Sequence, residues 1–271
     1  MITPIGNFNK PASNADQTAA PSTDTENPIK GSAPQIIWNP ANYVENSTSQ
    51  TEDSHALTSE LLKRNIIKAP VSRVLDIGCG PGNNLAEYKK LFGGQVVGID
   101  PSEDMYKAAK ERFQASEDIE ILCAGADNFS YSEEFPLALS IHALHWISNK
   151  KMPNALKNIG QHLAPEGIFS AFFAASKAGL PFHTSLEKTK ALPEFQDHFT
   201  EYKPSQFFYS VSEMECLILG AGMKVDTLEI SPIRKHFSDR LKLTGFVSQW
   251  LPEVSSQKLL QSPHGNIADA F

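Results

Sequence analysis

Short apolar runs alternate with one-sided apolar helices along the middle of the chain. The runs at residues 71–77, 96–99, 119–122, 137–141 and 168–173 predict five strands. Between them, apolar residues recur at helical spacing over residues 85–91, 105–113 and 152–163. Strands that alternate with helices over short connections indicate βαβ units. The pattern therefore predicts an α/β sandwich of three layers with a mostly parallel sheet.

The flanking segments have different compositions. Residues 1–33 are rich in Pro, Ser, Thr, Asn and Asp, which predicts a disordered tail. Residues 34–70 carry apolar positions at near-helical spacing and predict a helical N-terminal cap, so the main domain spans residues 71–271. Within it, the prolines and aromatics of residues 174–209 indicate an insertion after the fifth strand. A helix over residues 211–220, a strand over residues 223–230 and a further helix over residues 234–251 should follow.

Composition narrows the functional classes. The chain has 271 residues and 24 Lys and Arg against 31 Asp and Glu, a formal net charge of -7, which disfavours nucleic acid as a partner. Cys79, Cys123 and Cys216 form no CxxC pair, so neither a disulfide framework nor a zinc site is indicated. We find no signal-peptide pattern and no apolar run long enough to span a membrane. A cytoplasmic protein is expected.

A glycine-rich turn lies between the first predicted strand and its helix. Residues 74–82 read Val-Leu-Asp-Ile-Gly-Cys-Gly-Pro-Gly. Glycines at such a turn let the backbone bend tightly and let a ligand approach closely. In open parallel sheets, ligands bind beyond the carboxyl ends of the strands. The dinucleotide fingerprint G-x-G-x-x-G needs a glycine at position 83, where this chain has Asn83.

An acidic residue closes the second predicted strand. Asp100 is placed where a carboxylate can accept both hydroxyls of a ribose. The alternative is a helix-capping role, but Ser102 is the better cap for the helix that follows.

The Asp-Ile-Gly-Cys-Gly-Pro-Gly string, with Asp100 after it, resembles motif I of class I S-adenosylmethionine-dependent methyltransferases, which have a Rossmann-like fold. The resemblance implies S-adenosyl-L-methionine as the cofactor. It implies that Pro101 and Met105 adjoin the adenine and that the Ala-Asp-Asn-Phe segment reaches the adenine amino group. The implied cofactor residues of these segments are Asp76, Gly78, Cys79, Gly80, Gly82, Asp100, Pro101, Met105, Ala126, Asp127, Asn128 and Phe129.

Two further segments resemble one branch of that family. Residues 140–146, Ser-Ile-His-Ala-Leu-His-Trp, are similar to the S-N-A-A-L-H-W segment of trans-aconitate and juvenile hormone acid methyltransferases. Upstream, Trp38, Tyr43, Ser47 and Gln50 match a second segment of the branch. The resemblance implies that Tyr43, Ser47, Gln50 and His142 contact the cofactor and that His145 and Trp146 serve catalysis.

The chain departs from the branch at several positions. Ile141 replaces the usual Asn, His142 replaces a small residue, and Pro136 stands where the fourth strand commonly has an Asp. The family's last antiparallel strand should follow the helix over 234–251, yet the remaining residues show no strand pattern. That strand is either absent or beyond the end of this sequence.

The expected function is methyl transfer from S-adenosylmethionine to a small molecule, with a carboxylate as the favoured acceptor. A carboxylate needs no base, whereas a phenol, amine or carbon acceptor would use His145. Arg234, Lys235 and Arg240 are candidates for holding an acidic acceptor. The H-x-x-H spacing of His142 and His145 lacks a third ligand, so no metal is expected. The alternatives are a non-catalytic S-adenosylmethionine-binding module and an NAD-dependent oxidoreductase; oligomeric state stays open.

Overall fold

The sheet has seven strands in the order β4-β3-β2-β5-β6-β1-β7. The computed structural model describes residues 2–9, 38–175, 181–193, 196, 199, 205–232 and 235–250. The strands are β1 (Ile2–Asn9), β2 (Arg73–Ile77), β3 (Gln95–Asp100), β4 (Ile119–Cys123), β5 (Phe135–Ile141), β6 (Leu163–Phe172) and β7 (Lys224–Pro232). The helices are α1 (Pro40–Asn46), α2 (Thr48–Lys63), α3 (Leu85–Phe92), α4 (Glu103–Arg112), α5 (Met152–His162), α6 (Pro181–Lys190), α7 (Val211–Gly220) and α8 (Arg240–Trp250).

Strands β2 to β6 form the parallel part of the sheet, as the sequence predicts. Helices α2, α3 and α4 cover one face, with Leu61, Tyr88 and Phe92 fully buried there. Helices α5 and α7 cover the other face, with Leu156 and Ile218 among its buried residues. Buried apolar area on both faces drives this arrangement. The predicted three-layer, Rossmann-like α/β fold is confirmed.

Side-chain caps fix where two of the helices begin. Ser102 accepts a hydrogen bond from the Met105 backbone N–H at the start of α4, so the cap predicted at this serine is present. A reciprocal Ser210–Glu213 capping box starts α7. Because α4 begins directly after β3, the cap leaves the Asp100 carboxylate at the end of that strand for another role.

The amino terminus corrects one expectation. Residues 2–9, expected in a disordered tail, form strand β1, which lies antiparallel between β6 and β7. The strand was not predicted because the overall composition of residues 1–33 is typical of a disordered segment. Within it, Ile2, Ile5 and Phe8 recur every third residue rather than every second, and Pro4 and Gly6 disfavour a strand. The local propensity of residues 2–9 does not favour a strand. The edges of β6 and β7 stabilise one there because both supply partners for the backbone hydrogen-bonding groups. Residues 10–33 lie outside the described residues.

Strand β1 also bears on the expected last antiparallel strand. An antiparallel strand does lie in the sheet beside β7, but the amino terminus supplies it. Residues 251–271, where the sequence shows no strand pattern, lie outside the described residues.

The cap and the insertion flank the carboxyl edge of the sheet. Helices α1 and α2 occupy most of residues 34–70, where a helical cap was expected. Within residues 174–209 the structure describes α6 and the approach to α7. There Phe199 is buried, and the backbone N–H of Phe207 donates to the His145 carbonyl at 2.8 Å. The aromatic residues Phe195 and Tyr202 lie outside the described residues.

Deleting residues 2–9 should destabilise the protein. The deletion removes a strand from inside the sheet and leaves backbone groups of β6 and β7 to be satisfied by water. We expect the free energy of unfolding in urea to fall by about 3 kcal/mol or more, since each lost hydrogen bond is worth about 1 kcal/mol. The control shuffles the order of residues 12–30 and should change it by less than about 0.5 kcal/mol. A deletion that costs no more than the shuffle would contradict the placement of β1.

Candidate active site

The loops after β2, β3 and β5 meet at the carboxyl edge of the sheet. The backbone N–H groups of Gly78 and Cys79 both donate to the Ile99 carbonyl, at 2.8 and 3.0 Å. Gly78 has φ of 75°, and a Cβ there would overlap the side chain of Ala143 in the loop after β5. Only glycine combines this left-handed backbone with so close an approach. The predicted glycine turn is therefore the point on which the three loops converge.

Asp100 is buried at the end of β3 and holds the glycine loop. Its Oδ2 accepts the Gly80 N–H at 2.9 Å, and its Oδ1 accepts the Ser102 N–H at 2.8 Å. Burial raises the pKa of Asp100 to about 6, although both backbone donors work to lower it. A carboxylate oxygen accepts two hydrogen bonds, so each oxygen retains capacity for a ligand hydroxyl. This geometry suits the predicted ribose-binding role.

Asp76 adds a second buried carboxyl group on the neighbouring strand. It is 2 % exposed, and burial together with the charge of Asp100 raises its pKa to about 8. The same two carboxyl groups, after burial, raise the pKa of the Tyr43 hydroxyl. Because ionising both carboxyl groups is unfavourable, a cationic ligand beside them would be stabilised.

Helix α1 and the loop after β5 enclose a small cavity beside the glycine loop. The Trp38 ring packs edge-on against Tyr43 and against Trp146, with centroid distances of 6.2 and 5.0 Å. The Trp146 indole N–H donates to the His142 carbonyl at 3.2 Å. Aromatic walls of this kind exclude water and attract cations. The cavity is lined by Trp38, Tyr43, Gln50, His142, His145, Trp146 and Gln249.

Polar contacts connect the cap to α8 and to the glycine loop. The Gln50 side-chain amide donates to Gln249 of α8 at 2.6 Å, and Gln249 donates to the Tyr43 carbonyl at 3.3 Å. Ser47, a predicted cofactor residue, accepts from the Asn83 amide at 2.6 Å. Asn83, in turn, accepts from Arg112 at 2.8 Å. Ser47 therefore anchors the cap on the loop, and Asn83 has a structural use of its own.

His142 and His145 both line the cavity but have different surroundings. His142 Nε2 lies 2.8 Å from Asp53 Oδ2, and Lys235 Nζ lies 2.7 Å from Asp53 Oδ1. Burial works to raise the pKa of Asp53, but the hydrogen bonds and charges of His142 and Lys235 outweigh it and lower that pKa. For His145, burial first, then His142 and His183, lower the pKa well below its usual value. His145 is therefore neutral at physiological pH.

The segment of residues 126–129 makes contacts within the protein. The Asn128 side chain accepts the Gly125 N–H at 2.9 Å and so shapes the turn. Asp127 pairs with Lys151 at 3.0 Å. Phe129 is buried in the core, with its ring 4.4 Å from that of His162. Contacts of these residues with the adenine stay a prediction.

The remaining residues of the implied adenine site differ in their exposure to solvent. Met105 is buried at the start of α4, whereas Pro101 is exposed beside it. Ala126 belongs to the buried core on the α5 side of the sheet.

Three residues of this region escaped the sequence analysis as site residues. Gln249 lines the cavity, and Asp53 is buried behind the lining residue His142. Trp38 entered the sequence analysis only as part of a resemblance. The one signal for Asp53 in the sequence is an acidic residue within the predicted helix of the cap. Lys235, suggested as a partner for an acidic acceptor, does return to the site, but it pairs with Asp53.

Among the described residues, no group of three or more His, Cys, Asp or Glu side chains is arranged to hold a metal ion. No helix in this part of the chain combines the length and the apolarity that crossing a membrane requires.

The fold is Rossmann-like, and the geometry at the carboxyl edge of its sheet suits a nucleoside-type ligand. Comparison with known proteins identifies the class. The family described as Methyltransferase domain matches residues 74–167. An uncharacterized methyltransferase of Schizosaccharomyces pombe, C70.08c, is 33% identical over 229 residues, which cover 80% of each chain. The chain belongs to the class I S-adenosylmethionine-dependent methyltransferases, and its cofactor type is S-adenosyl-L-methionine.

Two other similarities are more limited. Trans-aconitate 2-methyltransferase of Paracidovorax citrulli is 30% identical over 165 residues, and the match spans 59% of this chain and 58% of that enzyme, under two thirds of its length. The structure of the cyclopropane synthase MmaA2 from Mycobacterium tuberculosis superposes with a TM-score of 0.50 at 17% identity, covering 80% of this chain and 76% of that one. The second likeness supports the fold alone.

The raised pKa of Asp76 makes a prediction for the ligand-free protein. A buried carboxyl whose pKa is raised lends stability that is complete at low pH and is lost as pH rises from about 4 towards 8. Asp76→Asn should therefore unfold at a higher temperature than wild type at pH 8.5, with a smaller difference at pH 5. Circular dichroism melts at both values measure this. Asp104→Asn, at an exposed site, is the control, and an Asp76→Asn advantage that does not grow with pH would contradict the account.

Proposed function

We propose that this protein transfers a methyl group from S-adenosylmethionine to a small molecule, with a carboxylate as the favoured acceptor. The observation that carries the proposal is the pair of buried carboxyl groups, Asp76 and Asp100, beside the glycine loop and an aromatic cavity. An acidic lining of this kind favours a ligand that has ribose hydroxyls and positive charge. It disfavours a pyrophosphate, which NAD would bring to the same loop.

The residues present fit this cofactor. Asp100 has lone pairs left for ribose hydroxyls, and among the described residues only the Tyr43 ring lies near the open face of Gly80. The Gln50 side-chain oxygen is buried with no hydrogen-bond partner among the described residues, which suits it to accept from a ligand ammonium. When bound, S-adenosylmethionine supplies a methyl group whose bond to sulfur breaks, with the electron pair going to sulfur, as the acceptor atom bonds to carbon.

The protein's own part in this reaction is positioning and exclusion of water. Trp38, Tyr43 and Trp146 wall the cavity with aromatic surface, and α8 is tied across it through Gln249. Methyl displacement needs little acid–base chemistry when the acceptor is already an anion. A neutral His145 is consistent with this because it contributes shape and hydrogen bonding rather than charge.

The carboxylate preference rests on two supports. The sequence of residues 140–146 is similar to a branch that methylates small acids, and one relative is named for trans-aconitate, a carboxylic acid. The cavity also lies close to the ion pair of Lys235 and Asp53, so a cationic side chain reaches the region.

A non-catalytic S-adenosylmethionine-binding module is the second candidate. The observation that favours it is the pair of departures at Pro136 and Ile141, both in strand β5, which leads into the cavity. Formation of a methylated product separates the two candidates, since a binding module would retain affinity without turnover.

Cofactor binding should depend on Asp100. Asp100→Asn removes charge-assisted hydrogen bonds worth about 1.5–3 kcal/mol each, so the Kd for S-adenosylhomocysteine should rise by roughly tenfold or more. Isothermal titration calorimetry at pH 7.5 measures this, and exposed Asp104→Asn is the matched control. Unchanged affinity in Asp100→Asn, or tight binding of NAD by wild type, would overturn the cofactor site.

Acceptor class is tested with labelled methyl groups. We expect base-labile label on at least one member of an acid panel of benzoate, hexanoate, malonate, citrate and trans-aconitate. Parallel panels of phenols, amines and RNA are the comparison. Stable label on RNA, or transfer only to phenols or amines, would replace the carboxylate with another acceptor, and no transfer to any panel would favour the binding module.

A further inference from the structure

A buried chain of three side chains ends at the cavity. Asp53 of α2 bonds Lys235 through one oxygen and His142 through the other, at 2.7 and 2.8 Å. The side chains of Lys235, Asp53 and His142 are 15%, 9% and 5% exposed. Burying a charged chain is costly unless every member is paired. Three separate segments of the fold meet to build it, and its end lies on the cavity wall.

The contact with Asp53 fixes the proton positions on His142. An ionised carboxylate only accepts hydrogen bonds, so His142 Nε2 carries the hydrogen and donates it to Asp53. In the neutral imidazole, Nδ1 then carries the lone pair. The chain thus presets one tautomer of a histidine at the cavity.

The backbone of His142 has an unfavourable conformation. Its φ is 57°, in the left-handed region, which His, Asn and Asp adopt more often than most residues other than glycine but which still costs about 1 kcal/mol. A short hydrogen bond of 2.6 Å from its N–H to the Phe172 carbonyl fixes that conformation. Strain of this kind collects at functional sites.

His142 lies among several charged or titratable groups. They are Asp53 on α2, Lys235 after β7, His145 in its own loop and Tyr43 on α1. Lys235 offsets the charge of Asp53, and the Asp53 carboxylate remains in direct contact with His142.

We propose, building on the methyl transfer proposed above, that His142 binds the acceptor's carboxyl group through Nδ1 as an imidazolium–carboxylate pair, with Asp53 and Lys235 as its positioning residues. An acceptor that arrives as the acid gives its proton to Nδ1, and one that arrives as the anion is met by an imidazole that has taken a proton from solvent. In both cases the acceptor oxygen carries the negative charge that methylation requires. The neutral ester no longer pairs with the imidazolium, so it leaves and the proton returns to solvent.

This pairing solves an electrostatic problem of the site. Asp76 and Asp100 give the neighbouring cofactor region an acidic character, which repels a second anion. A low-dielectric cavity also favours the uncharged form of any carboxylic acid that enters it. A cation on His142 offsets both effects for the acceptor.

The kinetic test uses His142→Gln and Asp53→Asn, which keep size and hydrogen bonding but remove the charge. For the acid of the panel methylated fastest by wild type, we expect the KM to rise tenfold or more in both variants, with a smaller change in kcat. In Asp53→Asn, the Kd for S-adenosylhomocysteine should stay within about twofold of wild type. Exposed Glu52→Gln, next to Asp53 on the same helix, is the matched control. An unchanged KM in Asp53→Asn overturns the proposal.

A spectroscopic test needs no turnover. In protein labelled with ¹⁵N-histidine and saturated with S-adenosylhomocysteine, the His142 signals are assigned by their loss in His142→Gln. Adding the same acid at pH 7.5 should move them to the pattern of a doubly protonated ring, and Asp53→Asn should prevent this. A ring that stays neutral with the acid bound overturns the proposal.

The outcomes separate this inference from the function on which it rests. If wild type binds S-adenosylhomocysteine but methylates no acid in the panel, the carboxylate acceptor and this inference fall together while the cofactor site stands. If wild type methylates an acid and the two variants do so with unchanged KM, only the role of His142 falls.

Discussion

Two carboxyl groups buried at the ends of neighbouring parallel strands determine which ligand the rest of the site can bind. Asp76 and Asp100 stand on β2 and β3, and burial raises the pKa of both, to about 8 and about 6. A core built only for stability would not keep such groups at its edge. The glycine loop closes over them through the bond from Gly80 to Asp100. The arrangement becomes favourable when a ligand brings hydroxyl groups and positive charge, which is what S-adenosylmethionine has.

The cap completes this edge from the opposite side. Ser47 fastens α2 to Asn83 of the loop, and the Gln50–Gln249 pair joins the cap to α8. The same helix α2 supplies Asp53, whose two partners come from the loop after β5 and from the segment after β7. One helix therefore links the glycine loop, the aromatic cavity and the Lys235–Asp53–His142 chain. The cofactor region and the cavity are both bordered by α2, so a substitution in α2 should affect both.

Local patterns predicted the features that depend on local chemistry. The parallel strands, their helices, the glycine turn and Asp100 at its strand end all follow from periodicity and spacing, and the structure has them. The chain of Asp53, His142 and Lys235 was not predicted because its members are far apart in sequence and meet only in the folded protein. Strand β1 was missed for a related reason, since its two neighbours, rather than its own residues, make it a strand.

Other positions were ambiguous because one pattern serves two uses. An Asn at position 128 can stabilise the turn after a strand or contact an adenine. In the structure its side chain accepts the Gly125 N–H in the turn. Phe129 fits both a ligand wall and a core, and the structure packs it in the core against His162. Sequence spacing places such residues near the site but does not decide which way the side chain is used.

The central claim is that the buried carboxyl groups are arranged for a cationic cofactor, and proton release on binding measures it most directly. At pH 7, below the pKa of about 8 for Asp76, a cation that binds beside it should drive out a proton. Calorimetry of S-adenosylmethionine binding in phosphate and in Tris would then give enthalpies that differ by the buffer's heat of ionisation times the protons released. The account predicts net release, larger for S-adenosylmethionine than for S-adenosylhomocysteine and absent in Asp76→Asn. Equal enthalpies in the two buffers would contradict it.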